Sequence, residues 1–174
     1  MRILRRYPVP GSSEPMQSIE TAAAAEMPTR AASDAAPIRV YGKFFFAGAE
    51  KFYVKGVTYG PFGPGSHGSQ FPEHETVARD FALMAEMGAN TLRVFTPPPL
   101  WLLDMAATAG LKVLVGIPWS QHVTFLDSAE IQRDILASVV AAVRAFDRHP
   151  AIFAYLIGNE IPPDMVRWHG PERV

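Results

Sequence analysis

The sequence contains no cysteine, which excludes a disulfide framework, a thiolate nucleophile and a thiolate-held zinc site. It has no apolar run approaching the roughly 18 residues that cross a bilayer. Behind the basic start of Arg2, Arg5 and Arg6 it also lacks the apolar stretch of a secretory leader. Charge of one sign is missing too: 16 Lys and Arg stand against 17 Asp and Glu, a net charge of −1. No electrostatic case arises for nucleic acid or for an anionic membrane. His67, His74, His122, His149 and His169 show no ligand pair such as H-x-x-x-H, so no metal or other cofactor is expected. Together these absences lead us to expect a soluble, cytoplasmic protein. The 48% hydrophobic and 19% charged residues are those of a folded chain, which excludes a wholly disordered one.

Residues 1–37 depart from that average. Pro8, Pro10, Pro15, Pro28 and Pro37 interrupt Ser, Ala and scattered charge with no sustained apolar period. Such a segment buries too little surface to offset its ordering entropy, and it reads as a disordered arm. From Ile38 two β-branched and aromatic runs, residues 39–46 and 51–57, flank a short Gly-containing link and predict a β-hairpin. A Gly/Pro loop over residues 60–72 follows.

Helical and strand signals then alternate. Val77, Phe81, Met84 and Gly88 fall on one helical stripe that ends at Gly88. Residues 91–95 read as a strand stopped by Pro97, Pro98 and Pro99, and Pro99 suits the first turn of a helix containing Trp101, Leu102, Leu103 and Met105. Residues 112–117 form the next apolar strand. Asp127 and Glu130 have capping-box spacing before a helix striped with Ile131, Ile135, Leu136, Val139, Val140, Val143 and Phe146. His149-Pro150 ends that helix, and residues 152–157 are a fourth apolar run. This alternation implies parallel βαβ units, either an open doubly wound sheet or an eightfold barrel. Both put their chemistry at the carboxyl ends of the strands, here after Tyr59, Phe95, Ile117 and Ile157.

Gly63, Gly65 and Gly68 match the dinucleotide pattern G-x-G-x-x-G. No helix start lies at the third glycine and no acidic residue stands at the ribose position, so a flexible loop is the better reading and a dinucleotide-binding protein a remote alternative. Arg93 shares a strand face with Thr91 and Phe95, opposite Leu92 and Val94, and faces the interior or a cleft, where it must find an anionic or carbonyl partner. A structural ion pair meets that need as well as a functional one. Trp119, Gln121 and His122 after the third strand suit a sugar site, with ring stacking and hydroxyl binding, though each alone also fits loop packing. At the fourth strand end Asn159 and Glu160 stand side by side. In a partly apolar cleft the Glu160 pKa should rise, which suits a general acid, while a turn or capping role remains open for both residues.

Taken in order, these motifs resemble glycoside hydrolase clan A, most closely the barrels of families 2 and 5. Residues 52–57 look like the entry strand. Residues 90–94 look like the second-strand motif, and residues 149–152 with 158–160 like the fourth-strand signature. Three longer stretches, 95–104, 115–123 and 158–163 with 166–170, look like the glycosidase-type barrel of bacterial proteins that also carry a family 2 glycosyltransferase module. No transferase motif is present here, so only the barrel likeness carries over.

The resemblance implies an α/β fold over residues 38–174: a partial (β/α)8 barrel of about four βα units preceded by a β-hairpin. It implies an O-glycosyl hydrolase of the retaining β-glycosidase type acting on an oligosaccharide or polysaccharide. Glu160 would be the acid/base, Asn159 would hold the 2-hydroxyl, and Arg93 would orient the nucleophile. Trp119 and His122 would line the sugar subsite. A retaining enzyme needs a second carboxylate about 5 to 5.5 Å from the first. Neither Asp127 nor Asp164 stands at a strand end, and a complete barrel needs roughly 200 to 250 residues. The expectation is therefore an amino-terminal half barrel, incomplete as a catalyst, with open sheet edges that favour self-association. The alternative is a noncatalytic carbohydrate-binding or regulatory half barrel associated with a glycosyltransferase.

Overall fold

A computed structural model describes residues 36–63, 70–146 and 148–174. Most of the expected arm, together with Gly65, His67 and Gly68, lies outside these residues. The first structured segment is a three-stranded antiparallel meander, β1 (Ile38–Tyr41), β2 (Phe44–Ala47) and β3 (Glu50–Phe52). A single hairpin between two long runs was expected. The first run instead folds on itself, because Gly42 at φ 60° supplies a left-handed turn inside it, and Gly48 at φ 61° makes the second turn.

Four parallel strands follow: β4 (Gly56–Thr58), β5 (Thr91–Val94), β6 (Lys112–Gly116) and β7 (Ile152–Leu156). Their order in the sheet is their order in the chain. Such an order has none of the reversal that creates the crevice of a doubly wound sheet, and it is the order of a barrel. The helices are α1 (His74–Glu86), α2 (Leu100–Thr108), α3 (Ala129–Ala145) and α4 (Pro163–His169), one after each strand. The structure is thus the expected partial barrel of four βα units. Because α1 opens only at His74, the glycine run at Gly63 does not stand at a helix start. No described helix is long and apolar enough to cross a membrane.

The core lies between the sheet and α1 and α2. Leu92, Val94, Val113 and Val115 on the outer sheet face are fully buried against Val77, Phe81, Leu102 and Leu103. Each such side chain contributes about 1.5–3 kcal/mol by leaving water. The stripe of α3 is less covered: Ala142 and Phe146 are buried, whereas Leu136 is 63% and Val143 39% exposed. Its cap also differs from the expected one. Ser128, not Asp127, is the N-cap, and its hydroxyl oxygen accepts from Ile131 N at 3.3 Å.

At the amino ends of the strands, Asn90 joins the meander to the sheet. Its Oδ1 accepts from Lys55 N and its Nδ2 donates to Tyr53 O, both at 2.8 Å. The buried Lys112 donates to Pro150 O at 2.9 Å and Ala36 O at 3.3 Å. A register shift between β6 and β7 leaves Phe153 as an extra residue, and its ring meets Phe45 edge-on at 4.9 Å.

At the carboxyl end of β6 the neighbouring backbone comes so close that only glycine fits. A Cβ on Gly116 would lie 2.6 Å from Phe95 O and 2.9 Å from Val94 O. Gly116→Ala is therefore expected to lower stability by about 1–3 kcal/mol, the usual cost of overpacking. Urea unfolding measures it, and an unchanged midpoint would contradict this packing.

Candidate active site

The four strands deliver Tyr59, Phe95, Ile117 and Ile157 immediately beyond their last paired residues. Tyr59 N still donates to Arg93 O at 2.8 Å and Ile117 N to Leu156 O at 3.0 Å, so the sheet keeps these ends in register. Arg93 lies on the inner face, as the burial of Leu92 and Val94 requires. Its Nη2 donates to Asn159 Oδ1 at 2.5 Å and its guanidinium stacks over the Phe95 ring at 4.5 Å. The partner is thus an amide carbonyl oxygen. Nε of Arg93 is buried and has no hydrogen-bond partner among the described residues.

Asn159 is held a second time, through its backbone: its N–H donates to Gln121 Oε1 at 2.7 Å. Trp119 Nε1 donates to Ile157 O two residues earlier. Glu160 follows with φ 54°, in the left-handed region, where a non-glycine residue costs roughly 1–2 kcal/mol. Its side chain is exposed. The apolar enclosure expected around it is therefore not built by the described residues, because nothing from the four strand units folds over the β7 end.

Trp119 is partly buried, its ring edge-on to Phe125 at 4.8 Å, and His122 is exposed. The structure brings Arg93, Gln121 and Trp119 onto Asn159 and the neighbouring Ile157 carbonyl, next to Glu160 in the chain, while among the described residues no hydrogen bond or ring contact ties His122 to them. Phe125 packs on the buried His169 at 4.7 Å. Leu126 N donates to Nε2 of His169 at 3.5 Å, which leaves the proton on Nδ1, 3.7 Å from Asp127 Oδ1. Asp127 Oδ2 accepts from Trp168 Nε1 at 2.6 Å and so joins the β6 loop to α4, while its Oδ1 lies beyond hydrogen-bond distance of the His169 ring. Among the described residues no His, Asp and Glu are grouped to hold a metal.

Sequence reasoning missed a cavity of about 310 Å³ at the ends of β4 and β5, lined by Tyr59, Phe62, Phe71, Phe95, Gln70 and Thr96. The aromatic residues after those strands were its only signal. The phenol of Tyr59 donates to Asp80 Oδ2 at 3.0 Å. Burial, then that bond and the carboxylate charge, push its pKa well above the ordinary value.

The strand order and the placing of one helix after each strand define the barrel fold of glycoside hydrolase clan A. The sequence profile of a glucanosyltransferase family, glycoside hydrolase family 72, matches residues 27–169, and the chain belongs to that family. It is 30% identical over 141 residues to the 1,3-beta-glucanosyltransferase gel1 of Aspergillus fumigatus, covering 78% of this chain and 31% of that protein. To the 1,3-beta-glucanosyltransferase PGA4 of Candida albicans it is 29% identical over 138 residues, 74% of this chain and 30% of the relative. The chain thus spans about a third of the length of these curated relatives.

Among solved structures it is similar to Gas2 in complex with a compound, with TM-score 0.57 and 20% identity over 74% of this chain and 32% of that one. It also resembles a β-glucuronidase from Ruminococcus gnavus, with TM-score 0.63 and 18% identity over 78% and 24%. These structural likenesses concern the fold.

A raised Tyr59 pKa means that the unfolded chain loses the phenol proton first. Stability present below the ordinary value is therefore lost as pH rises past about 10. Urea midpoints should fall above that pH in the native chain and fall less in Tyr59→Phe. Equal pH dependence in both would remove Tyr59 as a cause.

Proposed function

We propose that this chain carries the acid/base half of a retaining β-glycosidase-type site that works on a β-1,3-glucan. The observation that carries the reading is the fourth-strand pair Asn159-Glu160 held to the second-strand Arg93. Membership of a glucanosyltransferase family supports the substrate class and the transfer chemistry. Kinship with families 2 and 5 is read as clan-level. Association with a glycosyltransferase module belongs to the same reading and has the three longer stretches as its support.

In this mechanism Glu160 donates its proton to the glycosidic oxygen as the bond to the anomeric carbon breaks and a second carboxylate bonds to that carbon. Glu160 then takes a proton from an incoming hydroxyl, that of another glucan end in transfer or of water in hydrolysis, as its oxygen bonds to the anomeric carbon and the bond to the second carboxylate breaks. Asn159 Nδ2 stays free to donate to a sugar hydroxyl, since its Oδ1 is taken by Arg93. The buried Nε of Arg93 still wants an acceptor, which a nucleophile carboxylate supplies. The aromatic cavity beside Tyr59 and Phe95 suits a pyranose ring, with Trp119 and His122 on the far side of Arg93.

A second reading, sugar binding without turnover, is favoured by one fact: among the first four residues after each of the described parallel strands, Glu160 is the one carboxylate. The unpaired outer edges of β4 and β7 favour self-association in either reading.

Titration with a β-1,3-linked glucopentaose, followed by calorimetry, tests the substrate class. Saturable binding is expected, weakened about 10-fold by Asn159→Ala through loss of a hydrogen bond to the sugar. No binding at millimolar sugar would reject the reading. Where products longer than the starting sugar accumulate, Glu160→Gln should cut the rate by about 10²–10⁴-fold. An unchanged rate would remove Glu160 from the chemistry, and a complete absence of turnover beside tight binding would select the second reading.

A further inference from the structure

Glu160 is exposed and sits at φ 54°. An exposed glutamate gains nothing from that conformation by itself, so its neighbours must impose it. Among the described residues, the side chain that grips the main chain of the residue before it is Gln121, through the 2.7 Å bond from Asn159 N to Oε1. We propose that Gln121 is a positioning residue that fixes the Asn159 peptide and thereby aims the Glu160 carboxylate. The functional meaning of this clamp rests on Glu160 being the acid/base.

The geometry supports the role in three ways. The side chain of Asn159 is already engaged by Arg93 from β5, so with Gln121 the residue is held by side chain and backbone from two different strand ends. Gln121 itself is carried on a fastened loop. Near its start Trp119 donates to Ile157 O. Towards its end Leu126 N donates to His169, and Asp127 accepts from Trp168 at 2.6 Å, both partners lying on α4. The rings of Trp119, Phe125 and His169 pack in sequence between these points, at 4.8 and 4.7 Å. The loop after β6 and the segment after β7 therefore lock together, and a site held this way keeps its reacting group within a narrow range of orientation. Finally, the bond uses one lone pair of the Gln121 amide oxygen and fixes the orientation of the side chain, so the place of Gln121 is accounted for without a sugar contact.

NMR hydrogen exchange at the Asn159 amide tests the clamp in the native chain, in Gln121→Met and in Gln121→Glu. The Met variant keeps the side-chain length without the acceptor, and the Glu variant restores an oxygen. The Asn159 N–H is expected to exchange about 10-fold faster in Gln121→Met, with native rates retained at Leu92 and Val113 in the sheet. The three-bond HN–Hα coupling of Glu160 should change with it, and both should return in Gln121→Glu. Exchange within about twofold of native in the Met variant would overturn the proposal.

Should Gln121→Met fail to fold, the Glu variant decides alone. Its Asn159 amide shift should gain a titration step from the new carboxylate that the native chain lacks, and a profile matching the native one would overturn the clamp. The glucopentaose titration fails separately: a native chain with the expected exchange pattern that ignores the sugar refutes the sugar reading and leaves the clamp standing.

Discussion

The site depends on the alternation of a β-strand. Leu92 and Val94 are fully buried under α1 and α2, and their burial leaves Arg93, the residue between them, on the opposite face. From there the guanidinium reaches Asn159, 66 residues further along the chain. A one-residue slip of β5 would bury a charge under the helices and expose two core side chains, a change far larger than the few kcal/mol that separate folded from unfolded states. The register of β5 between β4 and β6 is thus a condition for the site as much as for the core.

Around that axis the polar contacts converge on a few residues of the β7 end. Arg93 holds the side chain of Asn159, Gln121 holds its N–H, and Trp119 holds the carbonyl of Ile157. Gly116 allows β6 to approach the carbonyls of Val94 and Phe95 closely enough for these groups to meet. The arrangement fits a catalyst whose reactive group must be fixed before substrate arrives, because preorganised geometry costs nothing at the moment of reaction.

Much of this was legible in the sequence because its signals are local and periodic. The buried Val77 and Phe81 follow the predicted stripe of α1, and the four strand ends fall where the apolar runs stop. The pairing of Arg93 with Asn159 was legible only in part: the strand face of Arg93 could be read, but the identity of its partner is a matter of tertiary approach. Other features were misread for definite reasons. Gly42 turns the chain inside an unbroken β-branched and aromatic run, so the first run became two strands. Ser128 takes the cap because Asp127 is drawn to Trp168 and His169 on an element that follows only after β7. Gln121 was grouped with the sugar-facing residues, since nothing in its neighbours tells that a backbone N–H will reach it first. Glu160 was expected in an apolar cleft, yet enclosure depends on how many elements surround a strand end, and strand patterning does not carry that.

The strand order β4-β5-β6-β7 has a consequence for how the molecule forms. Each parallel strand pairs with the one synthesised just before it, so the sheet can grow one βα unit at a time as the chain emerges, with no strand waiting for a distant mate. The bond from Arg93 to Asn159 spans three of these units and can close only when the last of them has docked. The Asn159 grip therefore forms only after β7 has docked, and a chain halted before β7 has its core under α1 and α2 but no bond from Arg93 to Asn159.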